Sequence, residues 1–178
     1  MRAAVLLALG AACTTNGTLS VSLVEAPGST LLDGVQTLEL TLTEPQQTVT
    51  AERVGSGFSI SFSVDANSAT GQLIARGEDG SGNVIAVGES PPFAVAAINA
   101  AVALFMAPPN SVTASPVALD PPVDQIAAGP VACGALFAGG RDAGGAPTDG
   151  LSIYNTYSHA IETGAANCTI VSRPLRNS

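Results

Sequence analysis

A chain of 178 residues that is 46% hydrophobic and only 11% charged is too apolar to be disordered throughout, and long enough for one sandwich-sized domain with a smaller appendage. Its net charge of -8 is unevenly placed: eleven acids face Arg53 and Arg76 between Thr14 and Gln125, whereas three acids face three arginines from Ile126 to Ser178. An acidic surface without a basic stripe repels phosphate backbones, which argues against nucleic acid as a partner. With 19 glycines, 12 prolines and no tryptophan, among many valines, threonines and leucines, the composition reads as short strands and turns, and all-β is the expected class.

The N-terminus, "MRAAVLLALGAAC", has one arginine, an apolar run from Ala3 to Leu9, and small residues Gly10, Ala11 and Ala12 before Cys13. This is the layout of an export signal, and the run is too short to span a bilayer. It resembles a bacterial lipoprotein signal, in which residues 1–12 are removed and the cysteine, here Cys13, carries the lipid. Gly10 stands where that motif favours an aliphatic residue, so cleavage near Ala12 without lipidation, or an ordinary buried segment, are the alternatives. In that family a neutral residue after the cysteine, here Thr14, is similar to those sorted onward to the outer membrane. The resemblance implies an exported chain held at the bacterial outer membrane or cell surface, with residues 13–17 as a tether.

From Thr18 apolar residues alternate with polar ones: Leu19, Val21 and Leu23; then Leu38, Leu40 and Leu42; then Phe58, Ile60, Phe62 and Val64. Period two places one face of each strand in a core and the other in water. Turn signals "EAPGSTLLDG", "ERVGSG" and "DANSATG" separate these runs, and further strands are expected at Gln72–Arg76, Val84–Gly88 and Val102–Met106. Short strands at regular intervals predict a β-sandwich of seven strands over 18–107. In "LIARGEDGSGNVIAV", Asp79, Gly82 and Asn83 occupy the places of the D-x-x-G-N turn in the last hairpin of bacterial immunoglobulin-like domains, which the region resembles. The same turn could be read as a calcium loop through Glu78, Asp79 and Asn83. Turn chemistry is preferred, because the spaced oxygens and terminal bidentate acid of a calcium site are missing. The stretch "FAVAAINAAVALFMA" permits a buried helix, but its second half ends at a proline pair as a closing strand would.

Residues 108–125, "PPNSVTASPVALDPPVDQ", carry five prolines and read as an extended linker. The segment 126–164 follows. Its "VACGALFAGGRDAGGAPTDGLSIYN" is an apolar strand, a Gly-rich turn and a second strand, with Gly139 and Gly140 closing the first, Tyr154 in the second and Ile161 seven residues on. The pattern resembles a kelch repeat, in which a di-glycine closes one blade strand and a tyrosine and a tryptophan anchor the next; Ile161 stands where tryptophan is usual. An ordinary Gly-rich hairpin is the alternative. The whole arrangement is similar to a class of surface lipoproteins from high-GC bacteria. One blade cannot bury both its faces alone. The tail 165–178 follows no blade pattern, so the chain reads as a truncated or frame-shifted relative of a longer protein.

No catalytic constellation is legible. The glycines of "GGRDAGGAPTDG" precede no G-K-S or G-K-T, and the single histidine, His159, lacks a G-x-S-x-G partner and reads as a surface or rim side chain. One histidine cannot furnish a copper site, and no metal or cofactor is expected. Cys133 and Cys168 would remain once Cys13 carries lipid; they could bridge, closing a loop of about 35 residues, or Cys133 could stay a buried thiol. The expectation is a non-enzymatic envelope lipoprotein acting as spacer, scaffold or binding module. Its partners would be the membrane, through the anchor, and an envelope protein or polysaccharide. The rival is a fragment of a propeller protein or enzyme whose active part lies elsewhere.

Overall fold

The computed structural model describes residues 16–55, 57–58, 60–65, 69–95 and 101–163. The described residues form an all-β structure, with a single 3₁₀ turn at Leu31–Gly34. Among them no helix is long and apolar enough to cross a membrane.

The first strands are β1 (Asn16–Val24), β2 (Thr37–Thr43), β3 (Gln46–Val54), β4 (Gly57–Phe58), β5 (Ser61–Asp65) and β6 (Thr70–Gly71). They are followed by β7 (Leu73–Glu78), β8 (Val84–Glu89), β9 (Phe93–Ala94) and β10 (Ala101–Phe105). A five-stranded sheet has the order β4-β3-β2-β7-β8, and a three-stranded sheet the order β10-β1-β5. At the centre of the larger sheet, β2 turns Leu38, Leu40 and Leu42 into the core with no exposed surface and sends the intervening residues outward. Each such leucine contributes roughly 1.5–3 kcal/mol by leaving water. Leu73 and Ala75 of β7, Ala86 of β8, Leu19 of β1 and Val102 and Leu104 of β10 complete the same cluster, so both sheets share one core.

Alternation located β1, β2, β7, β8 and β10 but misplaced two elements. "ERVGSG" begins inside a strand, because β3 runs to Val54 before turning at Gly55. Its sequence, "QQTVTAERV", lacks an apolar face of its own. It is held as the antiparallel neighbour of β2, with Val49 opposite Leu40, Ala51 opposite Leu38, and the hydroxyls of Thr41 and Thr48 3.1 Å apart on the outer face. The run Phe58–Val64 is two strands, not one. Gly57–Phe58 pairs with Arg53–Val54 in the larger sheet, while Ser61–Asp65 pairs with β1 in the smaller. Period two is indifferent to which sheet a residue joins, so the crossing at Ile60 left no mark in the pattern.

The smaller sheet is organised by β1, which changes partners along its length. Its first half pairs antiparallel with β5 from Asn16 to Ser20, and its second half pairs parallel with β10 from Ser20 to Val24. The β7–β8 hairpin is closed by Asp79. Its Oδ1 accepts from the backbone N–H groups of Ser81 (2.8 Å) and Asn83 (2.9 Å), and Asn83 Nδ2 donates to Oδ2 at 3.0 Å. These bonds, led by the Asn83 side chain, hold the Asp79 carboxyl below its ordinary range. The carboxylate is thus occupied by its own turn, as turn chemistry requires.

Beyond an extended arm, the chain forms β11 (Ala127–Val131), β12 (Gly134–Ala138), β13 (Leu151–Asn155) and β14 (Ala160–Thr163), an antiparallel meander in sequential order. The arm is pinned at its end by mutual backbone hydrogen bonds between Asp124 and Arg141, at 3.0 and 2.9 Å. Cys133, Ile153 and Tyr157 belong to the same apolar cluster as the β2 leucines, so this small sheet docks on the sandwich.

Candidate functional site

The side chains with the most distinctive chemistry gather where the β13–β14 turn meets β10. Asn155, 2% exposed, organises that turn: its Oδ1 accepts from the N–H of Tyr157 at 2.9 Å and its Nδ2 donates to Glu162 Oε1 at 2.7 Å. The chain returns through His159 at φ +51°, a left-handed conformation that a tight turn imposes on a non-glycine residue. Tyr157 is thereby pushed into the sandwich, where its backbone carbonyl accepts from Ala103 N–H (2.8 Å) and its hydroxyl donates to the Pro92 carbonyl (2.7 Å).

His159, expected from sequence at the surface or rim, is half-buried. Its ring packs against Phe105 with centroids 5.9 Å apart, and its Nδ1 lies 2.5 Å from the Tyr154 hydroxyl. Nε2 is buried and meets no hydrogen-bond partner among the described residues. Desolvation lowers the His159 pKa from its ordinary 6.5, opposed in part by the Ala103 backbone. Burial likewise raises the Tyr154 pKa, opposed in part by the Ser115 side chain of the arm. Both groups are therefore held neutral. A neutral imidazole with one nitrogen on a phenol and the other buried is suited to packing.

The two glycines and the Tyr154–Ile161 pair noted in the sequence fall at opposite ends of the small sheet. Tyr154 and Ile161 stand directly opposite each other across β13 and β14. Gly139 and Gly140 end β12 at φ +64° and +106°, and a Cβ on Gly140 would come within 2.7 Å of the Asp124 carbonyl oxygen. The di-glycine therefore permits both the left-handed turn and the close approach of the arm. Cys133, 1% exposed in the β11–β12 turn, is disulfide-bonded, which removes the free-thiol alternative. Its carbonyl accepts from Thr156 N–H at 2.8 Å and Thr156 Oγ1 at 2.9 Å. Cys13 and Cys168 lie outside the described residues. Among the described residues no group of three or more histidine, cysteine or acidic side chains is placed to hold a metal ion.

Tyr157 and Phe105 carry much of this contact and were not singled out by sequence. A tyrosine five residues before Glu162 announces nothing until the turn aims it inward. No protein-family model, curated protein or solved structure matches the chain.

Proposed function

We propose that this chain is a non-enzymatic module of the bacterial cell envelope, exported and held at the membrane by lipid on Cys13, with an immunoglobulin-like sandwich acting as spacer or binding surface. The observation that carries the reading is the disulfide on Cys133, since such bridges persist outside the reducing cytosol. The signal-like residues 1–12 supply the same address. Acylation at Cys13 would anchor firmly, each buried methylene adding roughly 0.8 kcal/mol and several chains acting together. The first strand starts at Asn16, so the acidic sandwich would stand close to the bilayer.

Only three cysteines are present, so lipid on Cys13 leaves Cys168 as the partner of Cys133. Two measurements test this. Membrane association and acyl labelling in the host should be lost in Cys13→Ala, and peptide mapping without reductant should recover a Cys133–Cys168 linked pair. Persistent membrane association of Cys13→Ala, or a Cys13–Cys133 linkage, would remove the anchor.

A second reading is favoured by the β11–β14 meander, because four antiparallel strands in sequential order are also the make-up of one propeller blade. Under it the sheet is a kelch-like blade whose companions are encoded beyond this sequence. The intact mass of the native protein from host membranes separates the two: a species of this length favours the short module, and a much heavier one the propeller.

A further inference from the structure

We propose that the arm between the sandwich and the C-terminal sheet is a processing site, where a serine protease with a small aliphatic S1 pocket hydrolyses the chain after Val112 or Val117. Exposure supplies the first argument. The arm leaves the sandwich at Ala107, which exchanges backbone hydrogen bonds with Val87 at 2.8 and 2.9 Å, and residues 108–115 are then exposed without a break. The large apolar side chains exposed among the described residues are Val54, Val84, Val112 and Leu151. Val54, Val84 and Leu151 lie in β3, β8 and β13, whose backbones are engaged in sheets. Val112, 101% exposed, lies in no strand, so an enzyme reaches both its side chain and the peptide group beside it. Val117 is half-buried but stands outside the apolar cluster. An exposed loop of small and polar residues is a preferred place for nicking.

The residues of the arm supply the second argument. A protease holds its substrate as an added strand, which requires an extended run of residues that carry N–H groups. Thr113, Ala114 and Ser115 follow Val112 before Pro116 intervenes, and Ala118, Leu119 and Asp120 follow Val117 before Pro121. Between Arg76 and Arg141 there is no basic residue, and between Phe105 and Phe137 no aromatic one, so the arm offers nothing to a pocket built for either and a valine to a small aliphatic one. The loop 141–150 is nearly as exposed but is folded on itself. Asp142 Oδ1 accepts from the N–H groups of Gly144 and Ala146, both at 2.9 Å, and Arg141 donates through Nη1 to the Gly145 carbonyl at 2.8 Å. Drawing that loop into a protease would break these bonds. The reaction consumes one water: the protease serine attacks the valine carbonyl, the following residue leaves as an amine with the transferred proton, and water then frees the valine carboxylate and restores the serine.

The inference goes beyond the anchored module and holds whether or not Cys13 carries lipid. In its test the purified protein is treated briefly with neutrophil elastase, which cuts after valine, and the first products are weighed by mass spectrometry. They should meet at Val112–Thr113 or at Val117–Ala118. A variant carrying both Val112→Asp and Val117→Asp should unfold at the same denaturant concentration, since neither valine belongs to the core, and should lose intact chain about tenfold more slowly or less. A first cut outside the arm, or an equal rate in the variant, would overturn the site. Protein recovered from its own host through growth should include a species ending at Val112 or Val117. Uncut chain alone at every stage would overturn processing, whatever elastase does in the tube.

Discussion

The sandwich and the C-terminal sheet are built from similar strands and held by different means. In the sandwich, β2 and β7 alternate strictly, and Leu38, Leu40, Leu42 and Leu73 are fully buried between two sheets. In the C-terminal sheet every residue of β12 is only half-buried, and β11 is largely exposed. Among the described residues the small sheet has no second layer of its own. It borrows one by inserting Tyr157, Cys133 and Ile153 into the core that the sandwich already owns. A layered core distributes stabilisation over many contacts, whereas a docked sheet concentrates it in a few.

That contrast can be broken most forcefully at its strong side. Leu40→Ala should cost about 3–5 kcal/mol in denaturant unfolding, because a cavity at the centre of β2 cannot collapse. The small sheet should be lost in the same transition, since it has no core to survive on. Independent persistence of β11–β14 amides after β2 has melted would show a self-sufficient blade instead.

Next comes the covalent tie. Cys133→Ser should destabilise by about 2–4 kcal/mol. Hydrogen exchange should rise in β11–β14 well before it rises in β2. A uniform loss across both regions would mean that the bridge braces the sandwich as much as the sheet.

Tyr157→Phe sharpens the comparison further. It keeps the ring and removes the 2.7 Å hydrogen bond to the Pro92 carbonyl, so about 1 kcal/mol is expected, felt by the amides around Ala103 and Asn155 and not by those of β2. The smallest effect is one of pH. His159 has its pKa lowered by burial in the fold, so the unfolded or undocked state takes up the proton first as pH falls. Docking is therefore fully supported above pH 6.5 and weakens as pH falls from there toward the depressed folded value. The exchange of β13 and β14 amides should rise between neutral and mildly acidic pH, and His159→Gln should flatten that slope.

How much of this was legible in sequence follows the same division. Strands that carry their own apolar face announced themselves through period two: Leu19, Val21 and Leu23; Leu38, Leu40 and Leu42; Leu73 and Ala75. The strand β3 did not, because its threonines and glutamines draw their order from β2, and a pairing partner leaves no trace in local periodicity. The di-glycine at Gly139 and Gly140 was visible as a turn, but β11, with a glycine and a proline in five residues, and the four-residue β14 were too short and irregular to register. At the candidate site Tyr154 and Ile161 were noted for their spacing, and they face each other across β13 and β14. His159, set down as a rim residue, and Tyr157 lie on a turn whose direction depends on the Asn155 side chain, which spacing does not reveal.

Composition and alternation by themselves determined that the chain is built of short strands, that its acidity lies in the first module, and where most of that module's core leucines lie. Their cause is local: side-chain shape, β-branching and the two-residue period act within a few positions. Tertiary structure alone decided that Phe58 and Ser61–Asp65 serve different sheets, that β1 exchanges β5 for β10 at Ser20, and that a lone histidine is half-buried against Phe105. Those outcomes depend on which strand meets which, and the free energy that settles such pairings resides in contacts between residues far apart in the chain.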